Sequence, residues 1–95
     1  MNKADIVAEL SRRMDIDQHT ATSALENTLD IIVRSVERDE SVTIMGFGTF
    51  ERRERAARVA RNPHTGEAVP VAPTQVPMFR PGQYFRAVVK GEAKL

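Results

Sequence analysis

Residues 52–66 read Arg52-Arg53-Glu54-Arg55-Ala56-Ala57-Arg58-Val59-Ala60-Arg61-Asn62-Pro63-His64-Thr65-Gly66. Five arginines fall in the first ten positions, with small side chains between them and no lysine. Between Glu51 and Thr74 the only large apolar residues are Val59, Val69 and Val71. Such a segment cannot pack a core. Asn62-Pro63-His64-Thr65-Gly66 is a turn sequence, in which proline fixes φ early and glycine accepts a positive φ at the end. The whole reads as a long β-hairpin arm. Pro70, Pro73 and Pro77 suit it, because a proline lacking N–H is tolerated on the open edge or at the end of a two-stranded ribbon. The planar arginine fork bonds phosphate oxygens bidentately and enters minor grooves, which points to a polyanionic ligand. A solvated charged strand is the competing reading, and the absence of a core under the arm counts against it. Strict alternation places Arg53, Arg55 and Arg61 on one side of the ribbon and Arg52 and Arg58 on the other, unless strong twist or a bulge near Ala56-Ala57 re-aims Arg58.

Working outward, residues 3–14 place Ile6, Val7, Leu10 and Met14 at helical spacing, with Asn2 as N-cap and Asp5 at the third helical position. A second helix is predicted from an Asp17 cap to about Arg38, with Ala21, Leu25, Thr28, Leu29, Ile32, Val33 and Val36 on one broad face. A short strand follows at Val42–Met45, then a Gly46-Phe47-Gly48 turn and a strand from Thr49. After the arm, Val76–Phe79 returns to the core, and Arg80-Pro81-Gly82 leads into a last helix over about Gln83–Val89. The fold class is α+β. The chain of 95 residues and 10.6 kDa is one domain: helical body and first strands over 1–50, arm over 51–77, return strand and last helix over 78–95. With the arm set aside, about 70 residues remain, too few for a robust single core. A dimer is therefore expected, with Leu25, Leu29, Ile32, Val36, Ile44, Phe47, Phe50, Phe79 and Phe85 as its core and interface.

The net charge of +1 conceals an asymmetry. Residues 1–40 carry five basic and nine acidic side chains, and residues 41–95 carry nine and four. Segregated charge of this kind favours nucleic acid as partner. Nothing suggests an enzyme: there is no phosphate-cradling loop with lysine, no metal-ligand cluster and no nucleophile with a base. His19 and His64 stand far apart without a third ligand, and the chain has no cysteine, so no metal or other cofactor is expected. No apolar run approaches a membrane span and no secretory signal is visible, so a soluble, cytoplasmic protein without membrane partner or small-molecule substrate is expected.

Three segments together, Gly46-Phe47-Gly48-Thr49-Phe50, Arg55 to Gly66, and Val76-Pro77-Met78-Phe79-Arg80-Pro81-Gly82, resemble the bacterial HU and integration-host-factor family of histone-like proteins. The likeness covers nearly the whole chain, and its Ala-Ala-Arg-Val-Ala-Arg wording is most similar to actinobacterial HU. The resemblance implies an intertwined homodimer whose two arms embrace double-stranded DNA from the minor-groove side, a nucleoid location, and a preference for bent, nicked or flexible DNA. It implies that Pro63 is the wedge that kinks a base step; the family is itself an example of that general mode of binding. By position it implies DNA contacts from Arg53, Arg55, Arg58 and Arg61 on the arm, Asn62 and Thr65 at the tip, and Lys3, Arg80 and Arg86 on the body; His64, beside Pro63, and Lys90, which extends the basic surface of the body, are further candidate contacts from their own placement. RNA is a further candidate ligand. A sequence-preferring bender of the integration-host-factor type is the alternative, and a dimeric protein-binding module using the arm is another. Two departures remove positive charge: Gln83 stands where many members have lysine, and Glu67–Pro77 contains no basic residue. A shallow salt dependence is expected, about 0.9 less in log–log slope for each phosphate that goes unbound. A protonated His64 beside the wedge would tighten binding at pH 6 relative to pH 8, an effect His64→Gln would abolish.

Overall fold

The computed structural model describes residues 1–95. Its elements run α1 (Lys3–Met14), α2 (Gln18–Glu37), β1 (Val42–Ile44), β2 (Gly48–Arg55), β3 (Arg58–Arg61), β4 (Ala68–Val71), β5 (Thr74–Pro81) and α3 (Gln83–Lys90). The chain divides into two compact units, Met1–Arg34 and Ser35–Leu95.

In the first unit both helix starts are fixed by side chains, as the sequence predicts. Asn2 and Asp5 form a reciprocal capping box: the Asp5 N–H donates to Asn2 Oδ1 at 3.0 Å, and the Asn2 N–H donates to Asp5 Oδ2 at 2.9 Å. The Thr20 N–H donates to Asp17 Oδ1 at 2.6 Å, and this backbone bond holds the Asp17 carboxyl below its ordinary value. Val7 and Ala21 are buried in this unit, while Leu29 and Ile31 remain exposed.

The second unit holds both sheets. One is three-stranded in the order β1-β2-β5, and β3 and β4 form a separate two-stranded ribbon; all pairings are antiparallel. β1 turns into β2 through Gly46, whose φ of +82° suits glycine, and the Phe47 N–H closes the turn on the Ile44 carbonyl at 3.0 Å. A side chain at Gly48 would stand 2.5 Å from the Arg80 carbonyl oxygen and 2.6 Å from the Phe79 ring, so the strand pair requires glycine there. Phe50 opposes Phe79 with ring centroids 4.7 Å apart, and Phe47 lies 5.4 Å from Phe79 and 5.3 Å from Phe85. These four rings form the apolar centre of the unit, yet Phe47 is 44% exposed and Phe85 37%. α3 ends at Gly91, in the left-handed conformation, with its N–H on the carbonyls of Ala87 and Val88. No helix is long and apolar enough to cross a membrane.

Candidate nucleic-acid interface

β2 runs outward and β5 returns beside it, from Gly48 opposite Pro81 to Arg55 opposite Thr74. β3 and β4 continue the same ribbon, from Arg58 opposite Val71 to Arg61 opposite Ala68. Between Arg55 and Arg58 the chain takes three steps, and its partner strand takes three between Val71 and Thr74. Where pairing lapses at Ala56-Ala57 and Ala72-Pro73, each strand carries one residue more than the two-residue repeat of hydrogen-bonded pairs, so neither strand is bulged against the other. Pro73, with no N–H to contribute, sits at the interruption.

The register is continuous but the hydrogen-bond phase is not. At the root, the Gly82 N–H donates to the carbonyl of Phe47, directly opposite, at 2.7 Å. Alternation from there makes Thr49, Glu51, Arg53 and Arg55 the hydrogen-bonded members of the outgoing strand. At the tip, the Asn62 N–H donates to the carbonyl of Glu67, again opposite, at 2.9 Å, which makes Ala60 and Arg58 the hydrogen-bonded members. The phase shifts by one residue across the lapse. In a ribbon of L-residues all hydrogen-bonded positions present side chains on one face. Arg53 and Arg55 before the lapse and Arg58 beyond it thus take the hydrogen-bonded positions, and Arg52, Glu54 and Arg61 take the alternate ones, each set on one face of its own ribbon segment. The prolines agree, since Pro77, Pro81 and Pro70 all fall at positions whose nitrogens point to the open edge. Strict alternation along the sequence predicts instead that Arg61 joins Arg53 and Arg55 while Arg58 faces away; the phase shift exchanges the two.

On the face that carries Arg53, Glu51 lies between two arginines. Its Oε1 is 3.1 Å from Arg53 Nη2 and 3.2 Å from Arg80 Nε. Sequence reading does not single out Glu51 as a hub, although its spacing of two from Arg53 along a strand is visible in the chain. Arg55 and Arg58 are exposed. Near the root, Thr43, Thr49, Arg80, Gln83 and Arg86 line an open hollow of about 340 Å³ at the start of α3.

The tip is held by its own hydrogen bonds. Asn62 Oδ1 accepts from the His64 N–H at 2.8 Å, the Gly66 N–H donates to the Asn62 carbonyl at 2.8 Å, and Arg61 Nη1 donates to the Gly66 carbonyl at 2.9 Å. Thr65 Oγ1 accepts from the Glu67 N–H at 3.3 Å. Pro63 projects exposed between these tied residues. Of the remaining candidates, Lys3 pairs with Glu26 at 3.1 Å in the first unit, and Lys90 is exposed in the last turn of α3. Among the expected core and interface residues, Val36 is buried, Leu25, Ile32 and Phe50 are half-buried, and Leu29, Ile44, Phe47, Phe79 and Phe85 are exposed.

A proline-tipped, arginine-faced ribbon carried by an α+β body defines a class of small ribbon-armed proteins. Residues 1–90 match the family described as "Bacterial DNA-binding protein", and the chain belongs to that family, among its HU members. A relative named "DNA-binding protein HU 2" from Streptomyces coelicolor is 45% identical over all 95 residues, which make up 43% of that relative's length. The chain thus spans less than half of the Streptomyces relatives it matches. "DNA-binding protein HU" from Haemophilus influenzae is 40% identical over 90 residues, covering 95% of this chain and 100% of the relative. Among solved structures, an Anabaena HU–DNA cocrystal structure superposes with a TM-score of 0.89 at 38% identity, covering 94% of this chain and 97% of the other. An HU variant from Thermotoga maritima shares the fold, with a TM-score of 0.70 at 22% identity over 94% of this chain and 99% of the other.

Proposed function

We propose that this chain is a DNA-binding architectural protein of the nucleoid that lays its arms along the minor groove of duplex DNA and kinks it with Pro63. The observation that carries the reading is a ribbon with little core of its own, bearing exposed Arg53, Arg55 and Arg58 at hydrogen-bonded positions and ending in an exposed, hydrogen-bond-fixed proline. Guanidinium groups in such a row neutralise phosphates and enter a narrow groove without reading bases. A rigid apolar ring at the end of a basic ribbon suits unstacking of a base step. Relatives whose names state DNA binding, and a structural neighbour crystallised with DNA, support the ligand class.

The active species in this reading is a homodimer. A single chain leaves Ile31, Val33, Phe47 and Phe85 exposed, and Met45, Phe47, Tyr84, Phe85 and Val88 line an apolar hollow of about 400 Å³. Apolar surface in such quantity on so small a chain calls for a cover, and a two-fold copy supplies the same patch in return.

Fluorescence anisotropy with two unrelated duplexes of equal length, between about 50 and 200 mM salt, tests the reading, with sedimentation equilibrium on the same samples. Near-equal affinity for both duplexes is expected, with a log–log salt slope of about −0.9 per phosphate contact and a dimer mass. Absence of salt-sensitive binding would contradict it and turn attention to protein partners of the arm. A strong preference for one duplex would instead assign a sequence-preferring bender.

A further inference from the structure

Arg52 differs from the other arm arginines in where its guanidinium goes. It lies on the ribbon face opposite Arg53 and Arg55, and its Nη1 donates to the carbonyl of Glu37, in the last turn of α2, at 2.9 Å. Its Nε stands 3.9 Å from Asp39 Oδ1, and its side chain is 35% exposed against 54% for Arg53.

The end of α2 explains the contact. Asp39 adopts a left-handed φ of +62°, the Asp39 N–H donates to the Val36 carbonyl at 3.0 Å, and the Glu40 N–H donates to the Ser35 carbonyl at 2.8 Å. This is a Schellman arrangement, which satisfies the carbonyls of Ser35 and Val36. The Glu37 carbonyl is the next orphan of the helix end, and Arg52 reaches it from β2. A cation there also meets the negative end of the helix dipole. The other basic side chains of the last turns are engaged, Arg34 with Asp30 at 2.8 Å and Arg38 with Glu40 at 3.5 Å. Arg52, which also stands beside Asp39, is therefore the cation that completes the cap.

We propose that Arg52 is a positioning residue, which contacts no phosphate but pins the root of the arm to the last turn of α2 and so fixes the direction in which Arg53, Arg55, Arg58 and Pro63 are presented. One guanidinium bonded to a helix-end carbonyl does what a longer β1–β2 pairing would otherwise do, since β1 accompanies β2 only as far as Phe50. The functional half of this inference rests on the DNA-binding reading above.

Arg52→Met keeps the aliphatic stem and removes the donors, and Arg52→Lys restores one. Each is compared with the unmodified chain in thermal melting without DNA at a fixed protein concentration, and in anisotropy titrations of nicked and intact duplexes over a salt series. Arg52→Met is expected to lower Tm by about 4–8 °C and to leave the salt slope unchanged. It is also expected to reduce the preference for the nicked duplex by about threefold, because a less fixed arm is less preorganised. Arg52→Lys should recover part of both effects. A slope lowered by about 0.9 or more would make Arg52 a phosphate contact and overturn the proposal. An unchanged Tm would remove the brace, and a lowered Tm with an unchanged nicked preference would reduce Arg52 to a stabilising residue only. Should the unmodified chain bind neither duplex, the DNA reading fails and with it the positioning role, while the melting comparison still decides whether the brace exists.

Discussion

The guanidinium of Arg61 spans the arm tip to the carbonyl of Gly66, with Nη1 and the oxygen 2.9 Å apart. One of its five donors is committed to the turn, and the remaining ones belong to a side chain that is itself exposed. Arg61 thus both shapes the tip and carries charge to it. Because Arg61 lies on the face away from Arg58, Arg61→Ala should lower the salt slope by less than Arg58→Ala does, weaken binding modestly, and speed amide exchange at Gly66 and Glu67. Hydrogen exchange followed by NMR, set beside anisotropy, checks both parts; weaker binding with unchanged exchange would leave Arg61 as a charge alone.

The phase shift across Ala56-Ala57 puts Arg53, Arg55 and Arg58 alike at hydrogen-bonded positions. Arg53→Ala, Arg55→Ala and Arg58→Ala should each weaken binding and each lower the slope by about 0.9, whatever the duplex sequence. Salt-series anisotropy on the three variants is the measurement. An Arg58→Ala variant with an unaltered slope would show that the distal ribbon turns Arg58 away from the ligand.

Asp17 gives a stability signature in pH. Its carboxyl is held below the ordinary value, chiefly by the backbone N–H of Thr20, so the charged form is favoured in the folded state. A group whose folded pKa is depressed contributes stability that is present above the unfolded pKa, near about pH 4, and lost as pH falls through the folded one. Asp17→Ala should therefore lower Tm at neutral pH and have progressively less effect below about pH 4. A Tm difference independent of pH over this range would contradict the capping role.

Gly48 tests the packing of the strand pair. A methyl group there meets the Arg80 carbonyl oxygen at 2.5 Å and the Phe79 ring at 2.6 Å, and the backbone oxygen cannot rotate away. Gly48→Ala should destabilise the fold by about 1–3 kcal/mol, the usual cost of an overpacked site. Urea denaturation measures it, and a change under about 0.5 kcal/mol would mean that the two strands separate at little cost.

Much of this architecture is legible in the chain because the signals are local. Asn2 with Asp5, Asp17 before a long apolar stripe, and Asn62-Pro63 with Gly66 each specify a cap or a turn within a few residues. What the sequence does not yield is non-local. The register holds across Ala56-Ala57 and Ala72-Pro73, so counting residues gives no hint that the hydrogen-bond phase slips, and parity then assigns Arg58 and Arg61 to exchanged faces. Arg52 likewise looks like one more basic residue of the arm, because its partner is a backbone carbonyl fifteen positions away at a helix end. Apolar patterning picks out Phe47 and Phe85 for burial, yet both remain exposed in a single chain, and it is the proposed dimer that would cover them.

Pro63 as a wedge at the end of a basic ribbon is tested most directly by a ratio. Dissociation constants for a nicked and an intact duplex of the same sequence are measured at one salt concentration, for the unmodified chain and for Pro63→Ala. A nick lowers the cost of bending, so the unmodified chain is expected to favour the nicked duplex by at least about tenfold. Pro63→Ala should keep its salt slope and lose most of that preference. Equal preference in the two proteins would contradict the wedge and leave Pro63 as a turn residue.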